Sequence, residues 1–404
     1  MNIKKSRQLK TALFVALLSA ALYAAVDFNP ATMPTVTIAP YALKNEDLST
    51  VNNHAYRPWF ENGAWQGDVI EYDLATDGTR TTDASVGSNP PVASGSNWMA
   101  RAVLADKENP TGDGVTFTTY WQEVADGRNI FTLGAAGTQV PFLWSSLSDA
   151  QKTALDPETF ALGTNGDYDS PILNFVRGDR SNEKGLGGPY RDRYSLLGDI
   201  INSYPVYIGP ARETYTITGY PVFQDSVTNR SGRVAVGAND GMLHVFDAVT
   251  GEEVYAYVPS MLLGKLAALK AVPYRHTYYV DGQITVASAN NGGTWMSVLT
   301  GTLGAGAKGL YALNITNPDM SSDKVLFEKT ETDSDTGYIL GRPRIARKND
   351  DKWYVFTGNG INSPSGFAKL LMFELNGTTY PQTELSTGVT GGLSAPVLVD
   401  TNKD

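Results

Sequence analysis

The stretch RVAVGANDGMLHVFDAVTGEEVYAYVPS, residues 233–260, leaves room for little besides short, sharply turned strands. Val234, Val236, Leu243 and Val245 alternate with small or polar neighbours, which is the period of a half-buried strand. Between them, Asn239, Asp240 and Gly241 have the chemistry of a tight turn with positive φ, so the two runs form a hairpin. Asp247, Thr250 and Gly251 repeat that chemistry, residues 254–258 resume the alternation, and Pro259 ends it. Three antiparallel strands follow one another without an intervening helix.

Weaker copies of this unit occur at residues 65–74 with Asp77-Gly78 behind them, at 308–315, and at 353–360 followed by 369–375. Their spacing is irregular, yet each joins glycine, an apolar strand and a turn. Radially repeated small sheets are the propeller's solution to exposed strand edges. The expected fold is therefore mainly β, a modified β-propeller, with a β-sandwich as the alternative. The 40 glycines and 21 prolines supply the turns such a fold needs. Helical signals are few and read as insertions: Ser148 can cap a helix over 149–155, Pro171 can open one to Val176, and Pro259 one through Leu269. The expected organisation is a signal peptide over 1–25, an extended segment over 26–55, and the partial propeller over 56–404 with an insertion around 98–190.

Residues 1–25 carry Lys4, Lys5, Arg7 and Lys10, then an apolar run over 12–22 ending among small residues. That run is short for a bilayer span, and its order of charge, apolar core and small residues is that of an export signal. Its removal takes the formal charge from −10 to −14. A surface this acidic repels phosphate backbones, so nucleic acid is not an expected partner. It does suit calcium, which takes hard oxygen ligands. The absence of cysteine excludes disulfides and thiolate metal sites.

Gly304-Ala305-Gly306-Ala307-Lys308-Gly309 satisfies G-x-G-x-x-G, but the following residues alternate as a strand. A dinucleotide fingerprint needs a helix there, so the glycines are expected to let two backbones approach. His54, His244 and His276 are the full histidine supply, and the latter two sit among strand residues, where packed structural imidazoles are the expectation. No G-x-S-x-G elbow accompanies them. The last residues place oxygen side chains at alternate positions, Asp400, Asn402 and Asp404, as in the first half of a calcium loop.

Several motifs in one order resemble a known family. Arg177-Gly178-Asp179, Arg191-Asp192-Arg193, residues 197–209 (LGDIINSYPVYIG), residues 236–247 (VGANDGMLHVFD), residues 276–282 (HTYYVDG), the Gly-rich pair over 301–317 and residues 358–363 (GNGINS) are similar to the PilC/PilY family of type IV pilus biogenesis and tip-adhesin proteins. The resemblance runs from about Trp59 to the last residue. It implies a modified β-propeller displayed with type IV pili, not an enzyme, which supports pilus assembly by opposing retraction and acts in adhesion and twitching. Its partners would be pilus subunits, the assembly machinery and a host or surface receptor, at the periplasm, outer membrane or pilus.

The family's calcium loop has the pattern D-x-[DN]-x-[DN]-G-x-x-D, which makes Asp400, Asn402 and Asp404 the expected ligands, with calcium held in the complete protein. Against the family pattern the chain reads as truncated. A ring interrupted after Val399 is expected to expose an apolar blade face and unpaired edges, and little room precedes Trp59 for the large N-terminal region of many members. Two rivals share the turn chemistry: a quinoprotein-like propeller enzyme, whose pocket usually includes adjacent cysteines, and a carbohydrate-binding module stacking sugars on Trp59, Trp65 and Trp295.

Overall fold

The computed structural model describes residues 42–43, 53–61, 63–74, 98–101, 103–104, 127–161, 170–317 and 325–399. The expected signal peptide lies outside them, as does the Thr- and Ser-rich stretch over 76–97. Among the described residues, seventeen strands form four sheets. The first contains β1 (Ala42–Leu43), β2 (Asn53–Glu61) and β3 (Gln66–Leu74) in that order. The second has the spatial order β5-β4-β9-β8-β7-β6, built from β4 (Ile130–Leu133), β5 (Gln139–Pro141), β6 (Val206–Ile208), β7 (Arg233–Gly237), β8 (Leu243–Asp247) and β9 (Glu253–Val258). The third and fourth are plain four-stranded meanders, β10 (Ile284–Asn291), β11 (Thr294–Thr302), β12 (Gly309–Asn314) and β13 (Val325–Thr330), then β14 (Arg344–Arg347), β15 (Trp353–Gly358), β16 (Phe367–Glu374) and β17 (Gln382–Thr390).

Strands β6 to β9 form the hairpin series read from residues 233–260, with β6 added ahead of it. Gly241 takes the positive φ of the first turn, closed by Ala238 N–H on the Met242 carbonyl. In the second turn Gly251 has positive φ, and Asp247 Oδ1 accepts from the Val249 and Thr250 amides. The expectation of half-buried strands is corrected here, because β7 and β8 are buried on both faces. Val234, Val236 and Phe246 pack towards Tyr56, Val69 and Trp98 of the first sheet region. Their neighbours Ala235, Leu243 and Val245 pack the other way, in one cluster with Leu299, Tyr311 and Leu313 of the third sheet. Period 2 therefore sorts residues between two interfaces rather than between core and water.

The same sorting repeats downstream. Val298, Leu310 and Ala312 join Trp353, Val355, Leu371 and Phe373 between the third and fourth sheets. Face-to-face stacking in chain order follows, with the first strands β6, β10 and β14 approaching one another in series. This is the blade arrangement of a modified β-propeller.

Short helices decorate it. Helix α1 (Asp149–Leu155) begins with a capping box of Ser148 and Gln151, and α3 (Pro171–Arg177) has Ser170 as its cap, after the single turn and a half of α2 (Pro157–Ala161). The segment opened by Pro259 divides into α5 (Leu263–Leu266) between two 3-10 turns. Helix α4 (Tyr220–Ser226) was not legible, since it starts from a left-handed Gly219 with no side-chain cap.

Candidate functional site

Three of the motif segments, 197–209, 236–247 and 276–282, converge where the second sheet meets the third. The approach requires glycine: a Cβ on Gly198 would overlap the Asp240 amide, and one on Gly237 the Val280 carbonyl oxygen. Asp199 Oδ2 accepts from Asn239 Nδ2 at 2.7 Å and pairs with His276 Nε2 at 2.8 Å. Asn239 turns its Oδ1 to the Tyr279 amide at 2.8 Å and its own amide to the Asp199 carbonyl at 3.0 Å. Asp281 accepts from the amides of Ile201, Asn202 and Ser203 and from Asn202 Nδ2. Its burial pushes its pKa up to about 6, against those hydrogen bonds. Trp65 covers the junction by stacking on the His276 ring, centroids 3.9 Å apart.

A second polar group lies beside it. His244 is fully buried, with Nδ1 2.7 Å from Glu253 Oε1 and Nε2 3.0 Å from Asp240 Oδ2. Arg128 donates Nε and Nη2 to Glu253, both at 2.7 Å, a bidentate pair. Burial alone would raise the Glu253 carboxyl, but Arg128 and His244 hold it well below the usual carboxylate range. Asp240 also accepts the Gly198 amide at 2.8 Å, which joins this group to the first.

These side chains close loops onto one another; their hydrogen-bonding atoms point inward at backbone amides and at each other. The Arg177-Gly178-Asp179 motif is also turned in. Arg177 is 2% exposed and donates to the Phe142 and Arg128 carbonyls, while Asp179 accepts from Ser181. An open cleft of about 380 Å³ adjoins β6 and β10, where Glu213 accepts the Ser288 amide and hydroxyl at 2.8 and 2.9 Å and so caps the free edge of β10.

Asp400, Asn402 and Asp404 lie outside the described residues. Gly304 to Gly309 runs directly into β12, and a Cβ on Gly306 would overlap the Tyr279 carbonyl oxygen, which is the backbone approach expected of it. The three tryptophans weighed as sugar platforms serve packing. Trp59 is buried under Arg101, Trp65 lies on His276, and Trp295 sits among Tyr215, Tyr220, Phe223 and Trp353 with Nε1 on the Thr218 carbonyl. No helix among the described residues is long and apolar enough to cross a membrane.

Comparison with known proteins places this junction in a family. A relative named type IV pilus biogenesis factor PilY1, from Pseudomonas aeruginosa strain PAK, is 36% identical over 93% of this chain and 31% of its own length. A PilY1 homolog from Xylella fastidiosa is 43% identical over 84% of this chain and 24% of its own. The chain thus spans about a third or less of the relatives it matches. A crystal structure of the P. aeruginosa PilY1 C-terminal domain aligns at 39% identity over 49% of this chain and 41% of that one, with a TM-score of 0.41. The family model described as the PilY1 beta-propeller domain matches residues 197–404, beginning at the first of the three converging motifs, and the chain belongs to that family.

Proposed function

We propose that the chain is the propeller portion of an exported, non-enzymatic type IV pilus biogenesis factor. In this reading it supports pilus assembly by opposing retraction, works with pilus subunits and the assembly machinery, and acts in adhesion and twitching at the cell surface or on the pilus. The observation that carries it is the match of residues 197–404 to the PilY1 propeller model. Both ring nitrogens of the buried His244 are taken by carboxylates, which leaves neither to face a substrate and supports a scaffold role for it.

Deletion of the gene is expected to remove surface pili, and complementation with the complete gene to restore them. Pili should also return when retraction is disabled in the deletion strain; a strain still bald without retraction would sink the opposing-retraction role. Calcium is part of the same proposal. Three oxygens from Asp400, Asn402 and Asp404 are at most half of the six to eight that calcium takes, so tight binding should require a chain extended through glycine and a further carboxylate. Calorimetric titration of that extended chain and of its Asp400→Ala variant checks this, and unchanged binding in the variant overturns it.

A further inference from the structure

Strands β2 and β3 run antiparallel, with His54 directly opposite Asp73 and Tyr56 opposite Glu71. His54, Glu71 and Asp73 therefore share one face of the pair. His54 Nδ1 lies 2.8 Å from Glu71 Oε1 and 3.0 Å from Asp73 Oδ1, and one ligand atom from each of the three residues falls within 4.8 Å of the others. Close as they are, these contacts lack hydrogen-bond geometry, and the solvent-screened Nδ1 has no other partner. The Glu71 side chain is 4% exposed. Two carboxylates around one imidazole nitrogen concentrate oxygen and nitrogen donors at a single point that a cation could occupy.

We propose that His54, Glu71 and Asp73 bind a divalent first-row transition ion of the zinc class. Tetrahedral ligands on bonds of about 2.1 Å lie about 3.4 Å apart, so the separations of 2.8 and 3.0 Å would open by about half an ångström to admit the ion. Three protein ligands leave a fourth position for water or a further ligand. The imidazole nitrogen selects zinc, cobalt or nickel over calcium and magnesium, which prefer oxygen alone. This chemistry differs from that expected of Asp400, Asn402 and Asp404, and a single chain would discriminate two metals by donor type.

The test is calorimetric titration of the chelator-treated 404-residue chain with zinc, together with visible absorption on adding cobalt. One equivalent of zinc should bind, with a cobalt d–d band that zinc displaces. Affinity should fall about tenfold or more in His54→Ala and Glu71→Gln. Asp73→Asn, at a partly exposed carboxylate, serves as a second variant whose circular dichroism should match the parent while its cobalt band is lost. Absence of the band in the folded parent, equal zinc affinity in all three variants, or competition by equimolar calcium would each overturn the assignment.

Discussion

A protonated imidazole inside a blade needs anions on both sides, and His244 has them in Asp240 and Glu253. Burial opposes the charge, but the two carboxylates raise the pKa to about 9. An imidazole raised above its unfolded value of about 6.5 contributes stability that is complete below that value and is lost as pH rises through about 9. Denaturant unfolding across pH 6–10 should therefore show stability declining at the alkaline end, and His244→Gln should flatten that decline. Glu328 joins two blades at the same scale. It accepts from the Tyr257 hydroxyl and from the Ser260 amide and hydroxyl at 2.7 and 2.6 Å, and burial raises its pKa. Glu328→Ala strands those donors and should cost on the order of 3 kcal/mol, measured by chemical denaturation, whereas Glu328→Gln should lose less. The packed character of both histidines was legible, but the strand expected around His276 does not form: only His244 lies in a strand, and residues 271–283 are irregular chain ahead of β10. The histidines' partners were not legible, because Arg128 reaches Glu253 across 125 residues and no local pattern encodes that distance.

Among elements, glycines separate two kinds of constraint. A Cβ on Gly306 would overlap the Tyr279 carbonyl, a backbone atom with little freedom to retreat, whereas one on Gly264 in α5 would meet only the Ala154 oxygen at 3.8 Å. Gly306→Ala should thus lower the melting temperature by several degrees. Gly264→Ala should leave it unchanged or raise it, since alanine favours a helix by up to about 1 kcal/mol; thermal scans of the pair decide. The helices at Ser148 and Pro171 could be read because their caps are local. Helix α4 could not, because Tyr220 and Phe223 hold it against Trp295, a tertiary contact replacing the cap. The strand positions were likewise visible in period 2. That both faces were buried was not, because alanine or histidine between valines reads as polar-side filler until a second sheet is placed against it.

For the whole molecule, the fourth sheet carries Tyr354, Phe356 and Met372 on the face away from the third. Beside it, Val397 is 82% and Val399 73% exposed, and Leu385 and Val389 are exposed on β17. The 404-residue chain should therefore self-associate with rising concentration, and Val397→Asp with Val399→Asp should reduce this in sedimentation velocity; identical profiles would argue against that surface. The calcium expectation at Asp400, Asn402 and Asp404 rests on pattern and resemblance alone. Blade order could be anticipated from the repeated hairpins, but the pairing of β4 with β9 could not, because Ile130 meets Ala256 and Thr132 meets Val258 in parallel across a long stretch of chain.

That parallel pair has a mechanical consequence. The chain enters β4 at one end of the pair and leaves β9 at the other, so tension between the two would slide the strands along each other and load their bonds together. An antiparallel hairpin pulled by its ends unzips one bond at a time. The Arg128–Glu253 pair and the bond from the Ala256 amide to the Asn129 carbonyl clasp the same end. Force spectroscopy with handles upstream of residue 127 and downstream of residue 260 should show a high first rupture force, reduced by Phe131→Pro, which removes a ladder donor. Under the role proposed above, beside pilus filaments, the second sheet would serve as the buckle of the strap.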